Sequence, residues 1–146
     1  MSDNLISKSL KPKRLALGIF AERIAADINS GARLGLLSAR YIRGGANPVL
    51  IALILYPERA EMNLLEAVLE PGATHFRSLT PQVTQAHWFE RAIYDFFGIR
   101  AEGHPRFKSV ILHEAWPKQF HPLRPESDQL AEASTQIGRA SCRERV

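Results

Sequence analysis

A single cysteine, Cys142, stands in the 146 residues, which excludes an internal disulfide, a four-cysteine zinc site and an iron–sulfur cluster held by this chain alone. Long hydrophobic runs are missing as well. The longest uncharged apolar stretch, Pro48 to Pro57, falls well short of the ~20 residues that cross a bilayer. Nothing near the N-terminus has the uncharged apolar centre of a signal peptide. No Gly-x-Ser-x-Gly elbow is present, and Gly31, Gly35, Gly44 and Gly45 fit neither nucleotide-binding fingerprint. What is left is one domain's worth of chain, 45% hydrophobic, long enough to bury a sizeable core and predicted to be cytoplasmic without a direct membrane span.

The formal charge of +4 is unevenly placed. Lys8, Lys11, Lys13 and Arg14 against Asp3 give the first fourteen residues a sum of +3, and Arg139, Arg143 and Arg145 against Glu144 give the last ten a sum of +2. The stretch between sums to −1. Four basic residues without interleaved aromatics read as a solvated tail, so nucleic acid is not an expected partner. The last ten residues, Ile137 to Val146, resemble the conceptual translation of a sequencing-library adaptor. Without them the chain has 16 basic and 14 acidic residues, a charge of +2 and no cysteine.

Periodicity organises the rest. Leu17, Phe20, Ile24 and Ile28 recur at helical spacing, which predicts an amphipathic helix over 15–29 closed by Asn29-Ser30-Gly31. Arg33 to Ile42 and Pro48 to Tyr56 flank Arg43-Gly44-Gly45-Ala46-Asn47, a hairpin signal. The second run lacks alternation and is expected to be a central strand covered on both faces. Asn63 to Glu70 reads as a third strand or a short helix, with the strand favoured, before the Pro71-Gly72 turn. Beyond it, Thr80 and Thr84 are possible helix starts, and Phe89, Ala92, Ile93, Phe96 and Phe97 form an apolar stripe over 85–97. Gly98 then stands where a left-handed cap is wanted, with Ile99 as its apolar contact. Phe107 to His113 could pair with the sheet, and Pro117, Pro122 and Pro125 predict an extended arm. The fold class is α+β: an N-terminal helix, a small mainly antiparallel sheet with a hairpin, a second helix and a C-terminal arm. The expected boundaries are a flexible basic lead-in over 1–14, a domain over 15–126, a linker or the start of a continuation over 127–136, and the adaptor-like 137–146.

Residues that could carry chemistry fall in the second half. His87 and Glu90 lie three apart on the helix, and His104, His113 and His121 follow, so a metal-dependent hydrolase can be imagined. The spacing matches no His-Glu-x-x-His site, and His104 and His121 precede prolines, where local hydrogen bonds that hold turns suffice. Arg91 and Asp95 are spaced to pair along the helix.

Between His87 and Arg124 the density of specific features rises. Glu90-Arg91, Tyr94-Asp95-Phe96-Phe97-Gly98-Ile99, Gly103-His104-Pro105-Arg106, the basic segment to Leu112, and His121-Pro122-Leu123-Arg124 occur in order. Together they resemble the signature region of the 30-kilodalton subunit of NADH:quinone oxidoreductase, respiratory complex I. Phe76-Arg77-Ser78-Leu79-Thr80-Pro81 resembles the Ser-Leu-Thr segment that leads into the family's helix. Ala92 departs from the pattern, where the family usually has a second glutamate. The region is also similar to the N-terminal part of large subunits in nickel–iron hydrogenases of the formate hydrogenlyase type, towards which Ala92 and Leu112-His113-Glu114 tilt the reading.

The resemblance implies a subunit or domain that binds no cofactor and performs no chemistry itself. It would brace the quinone-reducing or hydrogen-evolving module, with iron–sulfur clusters, quinone or a nickel–iron centre in partner subunits or in a continuation of the chain. The implied partners are a large, 49-kilodalton-like catalytic subunit and a small iron–sulfur subunit. The implied location is peripheral to the inner membrane. Glu90, Arg91, Tyr94, Asp95, Gly98, Ile99, Gly103, His104, Pro105, Arg106, Pro122, Leu123 and Arg124 are the signature positions, expected where subunits meet.

Overall fold

The computed structural model describes residues 11–42, 47–112 and 115–125. Most of the expected lead-in, the hairpin turn at 43–46, His113, Glu114, the expected linker and the adaptor-like residues lie outside the described residues.

A short strand β1 (Lys13–Leu15) leads into helix α1 (Leu17–Asn29), the hairpin strands β2 (Arg33–Tyr41) and β3 (Pro48–Tyr56), and β4 (Glu61–Val68). β5 (His75–Arg77), α2 (His87–Phe97) and β6 (Arg100–Glu102) complete the order. Four strands form one sheet in the order β1-β4-β3-β2, and β5 pairs with β6 in a second. β2, β3 and β4 are antiparallel, as the hairpin signal predicts, while β1 joins β4 in parallel. The domain is α+β.

Both helices lie on one face of the larger sheet. α1 lays down Phe20 and Ile24, and α2 lays down Ile93 and Phe97. These join Leu37, Leu50, Ile54 and Leu65 in a single core. Each side chain so buried contributes about 1.5–3 kcal/mol. α1 ends as its sequence requires, with Gly31 at φ 98 and Ser30 Oγ donating to the Asp27 carbonyl at 2.8 Å. α2 ends at Gly98, at φ 71, and the buried Ile99 follows. A Cβ at Gly98 would stand 2.7 Å from the His121 ring, so both backbone and space demand glycine there.

Three expectations are corrected. Lys13 and Arg14, expected in the lead-in, and Leu15, expected in the helix, form a strand; its pairing with Leu65 to Ala67 is a tertiary contact that a three-residue segment cannot signal on its own. β3 is central, yet only one of its faces is fully covered, because both helices pack on the same side: Leu50, Ala52 and Ile54 are buried while Ile51, Leu53 and Leu55 are half-buried. The described part of the segment after Phe107 forms no strand. The chain pairs earlier, with β6 alongside β5, and 107–112 becomes a loop folded over α2. Thr84 to Ala86 forms a short 3-10 turn that runs directly into α2. No helix of the described residues is long and apolar enough to cross a membrane.

Candidate functional site

α2 carries three charged side chains on its buried side: Glu90 is fully buried, Asp95 is 2% exposed and Arg91 8%. Charged groups so deeply buried must be satisfied, and two stretches of chain satisfy these, one before the helix and one after it.

Glu90 holds the segment that precedes the helix. Its Oε2 accepts from Ser78 Oγ and Thr80 Oγ1, both at 2.6 Å, and its Oε1 accepts from the Leu79 backbone N–H. Ser78 Oγ lies 3.2 Å from the Thr80 N–H, which closes the turn. The Ser-Leu-Thr segment and the signature glutamate, twelve residues apart in sequence, are thus one structural unit.

Arg91 and Asp95 hold the segment that follows. Arg91 Nε donates to the Lys108 carbonyl at 2.6 Å and its guanidinium reaches the Ser109 carbonyl at 3.4 Å. Asp95 Oδ2 accepts from the N–H groups of Val110 and Ile111, each at 2.8 Å, and of Leu112 at 3.3 Å. Ser109 Oγ adds a bond to Asp95 Oδ1 at 2.8 Å. The cation takes the carbonyls at one end of the loop and the anion takes the amides at the other. The expected Arg91–Asp95 pair is absent from the ion pairs of the described residues, because loop 108–112 competes for both partners at short range. The Arg91 guanidinium also lies 4.8 Å from the ring centroid of Trp88, which is 62% exposed.

The histidines finish the arrangement. His104 follows Gly103, which sits at φ 80. Its Nδ1 accepts from the Arg106 N–H and its Nε2 donates to the His87 carbonyl, both at 3.1 Å, which defines one neutral tautomer. Its ring stands 4.0 Å from Glu90 Oε2, with both side chains fully buried. His121 Nδ1 donates to the Asp95 carbonyl at 3.1 Å. The Tyr94 ring packs edge-on between Phe107 and His121. The arm is tied to the end of α2 where the Leu123 N–H meets the Phe96 carbonyl, and the Arg124 N–H closes a turn onto His121. His87 is half-buried, and desolvation first, then repulsion from the His104 ring whenever that ring is protonated and from the charges of Arg91 and Arg106, holds its imidazole below its ordinary pKa.

Of the sequence-expected positions, Glu90, Arg91, Tyr94, Asp95, Gly98, Ile99, Gly103, His104 and His121 thus converge around α2. Pro105, Arg106 and Leu123 are exposed, and Pro122, Arg124 and the divergent Ala92 are half-buried. Sequence reasoning passed over Ser109 and Gln85, whose Oε1 accepts from the Leu34 N–H at 2.7 Å. That bond meets β2 at the start of its irregular register between Leu34 and Leu36, where no sequence pattern marks an available donor. A cleft of about 850 Å³ opens beside the clamped loop, lined by Tyr94, Ser109, Trp116, Phe120, Lys108 and Lys118 among others.

The geometry gives the hydrolase alternative no support. Both nitrogens of His104 and both oxygens of Glu90 are engaged within the chain, and among the described residues no group of three or more His, Cys, Asp or Glu side chains is placed to hold a metal ion.

Comparison with known proteins identifies the family and the fold. The chain is 34% identical over 64 residues to hydrogenase-4 component G of Escherichia coli (strain K12), covering 44% of this chain and 12% of that protein. It is 33% identical over 63 residues to the C/D subunit of NADH-quinone oxidoreductase from Aeromonas salmonicida (strain A449), covering 43% of this chain and 10% of that one. The matched region therefore spans only about a tenth of these relatives' length. The fold is shared with a chain in the structure of the membrane-bound sulfane sulfur reductase, an archaeal respiratory membrane complex, at a TM-score of 0.69, 16% identity and coverage of 86% of this chain and 75% of that one. It is shared also with the trypsin-resistant fragment of Nqo5, at 0.55, 20% identity and coverage of 65% and 80%. The sequence model of the respiratory-chain NADH dehydrogenase 30 Kd subunit matches residues 35–132, the greater part of the chain, from β2 through the clamped loop and the arm. The chain belongs to that family.

Proposed function

We propose that the chain is a non-catalytic structural subunit or domain of a membrane-associated, complex I-like oxidoreductase. It braces the quinone-reducing or hydrogen-evolving module, where a large catalytic subunit and a small iron–sulfur subunit meet. One observation carries the reading: the charged groups of the signature helix are spent on the chain's own backbone. Glu90 fixes 78–80, and Arg91 and Asp95 fix 108–112. Side chains held in this way set the shape of two surface segments, which is the work of a scaffold. The cofactors of electron transfer, iron–sulfur clusters with quinone or a nickel–iron centre, belong on this reading to the partner subunits or to a continuation of the chain. The location is the cytoplasmic side of the inner membrane, peripheral and held through the parent complex.

The test is purification of the tagged chain from detergent-extracted membranes of its host. The expected result is recovery with a large catalytic subunit and a small iron–sulfur subunit, and loss of their electron-transfer activity when the chain is deleted. Recovery of the chain alone, with that activity intact after deletion, would overturn the proposal.

A further inference from the structure

The helices cover one face of the four-stranded sheet, and the register shows what the other face holds. Leu36 lies opposite Leu53, which lies opposite Leu64, and Leu55 lies opposite Met62. Leu36 is 41% exposed, Met62 53% and Val68 41%. Apolar side chains exposed side by side on a sheet are a costly surface for a chain that works alone.

In their midst stands a carboxylate. Glu66, on β4, is 3% exposed and lies between two arginines. Its Oε1 accepts from the Arg40 guanidinium at 2.8 Å, and Arg14, its register partner on β1, stands 3.5 Å from Oε2. Among the described residues Oε2 has no hydrogen-bond partner, although it is shut off from solvent. A buried carboxylate oxygen without a donor costs stability, and an apolar residue at this position would avoid the cost. The two arginines remain partly open to the outside, with side chains 42% and 69% exposed. Arg33, on the same face as Leu55 and Met62, is exposed too.

We propose that this face, centred on Glu66 between Arg14 and Arg40, is the seat of a neighbouring protein subunit. That neighbour's docking surface is apolar, brings carboxylates to the arginines and, as the largely exposed Arg14 side chain turns outward to meet one, offers a hydrogen-bond donor to the Glu66 Oε2 that Arg14 leaves. Charge decides among the occupants. Three arginines face one carboxylate that two of them already share, so the face carries excess positive charge, and a second copy would set arginine against arginine. Acyl chains would cover the leucines but supply no donor to Oε2. An apolar protein surface with an acidic rim answers all three features. The inference rests on the reading that the chain works inside a multi-subunit assembly, and it adds which face is used.

The test compares the tagged wild-type chain with Met62→Glu, Leu36→Glu and Glu66→Gln in the host assembly, with Ile19→Glu on the exposed side of α1 as control. Retention in the assembly is expected to fall at least about tenfold for the first three and to hold for the control. The melting temperatures of the purified Met62→Glu and Leu36→Glu chains are expected to stay at the wild-type value, and that of Glu66→Gln to stay or rise. Peroxide oxidation of Met62 is expected to be slow in the assembly and fast in the purified chain. Equal oxidation in both, or full retention of Met62→Glu, would overturn the proposal. So would protection of Met62 in the purified chain by phosphatidylglycerol vesicles, or by raising its concentration. If the wild-type chain brings down no other subunit, the assembly reading fails and this one with it. If the assembly forms and Met62 still oxidises freely, only the choice of face fails.

Discussion

The two helices lie on the same sheet face and use it differently. α1 attaches through Phe20 and Ile24, and its charged pair stays within the helix, joining Arg23, whose side chain is 51% exposed, to Asp27, which is 8% exposed. α2 also packs through apolar residues, Ile93 and Phe97, but turns Glu90, Arg91 and Asp95 inward against backbone from outside its own turns. α1 is held chiefly by the core, whereas α2 in addition holds other parts of the chain. The same residue types therefore differ in weight: a charge at a helix surface tunes stability by tenths of a kcal/mol, and a buried one that satisfies several backbone groups decides a local structure.

That contrast can be broken by substitution. The largest loss is expected for Glu90→Ala, on the order of 3–5 kcal/mol in urea unfolding, because the Leu79 N–H and two hydroxyls lose their acceptor in a site buried from solvent. Asp95→Ala is expected to cost less, roughly 1.5–3 kcal/mol, because Val110 and Ile111 are 36% and 48% exposed and solvent can reach their freed amides. Arg23→Ala on α1 should cost least, about 1 kcal/mol, since Arg23 is half-open and water entering in its place can solvate the Asp27 carboxylate left behind. A loss from Arg23→Ala equal to that from Glu90→Ala would erase the distinction between the helices.

The smallest effect is a pH dependence. His87 titrates below its ordinary value in the folded chain, so the native state takes up its proton less readily than the unfolded one. Its stability penalty is absent well above the ordinary imidazole pKa and grows as pH falls through that value. His87→Gln is expected to narrow the gap between urea midpoints measured at about pH 7.5 and about pH 5.5, and a wider gap would reverse the sign.

How much of this the sequence discloses depends on whether a feature is local. α1, the hairpin, α2 and its Gly98 cap are written in spacing that a short window contains. β1 and the β5–β6 pair are not, because three residues acquire strand geometry only from a partner far along the chain. The signature residues are legible as a set, but their contacts are not. Four-residue spacing favours an Arg91–Asp95 pair, and only the fold brings in the 108–112 backbone that claims both. Glu66 is the clearest case: a glutamate in a strand reads as a solvent-facing residue, and its burial follows from Arg14 on the adjacent β1 and Arg40 reaching across β3 from β2.

The direct test of the clamp is native-state amide hydrogen exchange on Glu90→Gln and Asp95→Asn beside the wild-type chain. The division of labour on α2 predicts that exchange rises most at Leu79 and Thr80 in Glu90→Gln and most at Val110, Ile111 and Leu112 in Asp95→Asn, with a smaller rise at Leu50, Ala52 and Ile54 of β3 in both. Exchange that rises equally across loops and sheet in either variant would contradict it, and would make these charges ordinary contributors to global stability.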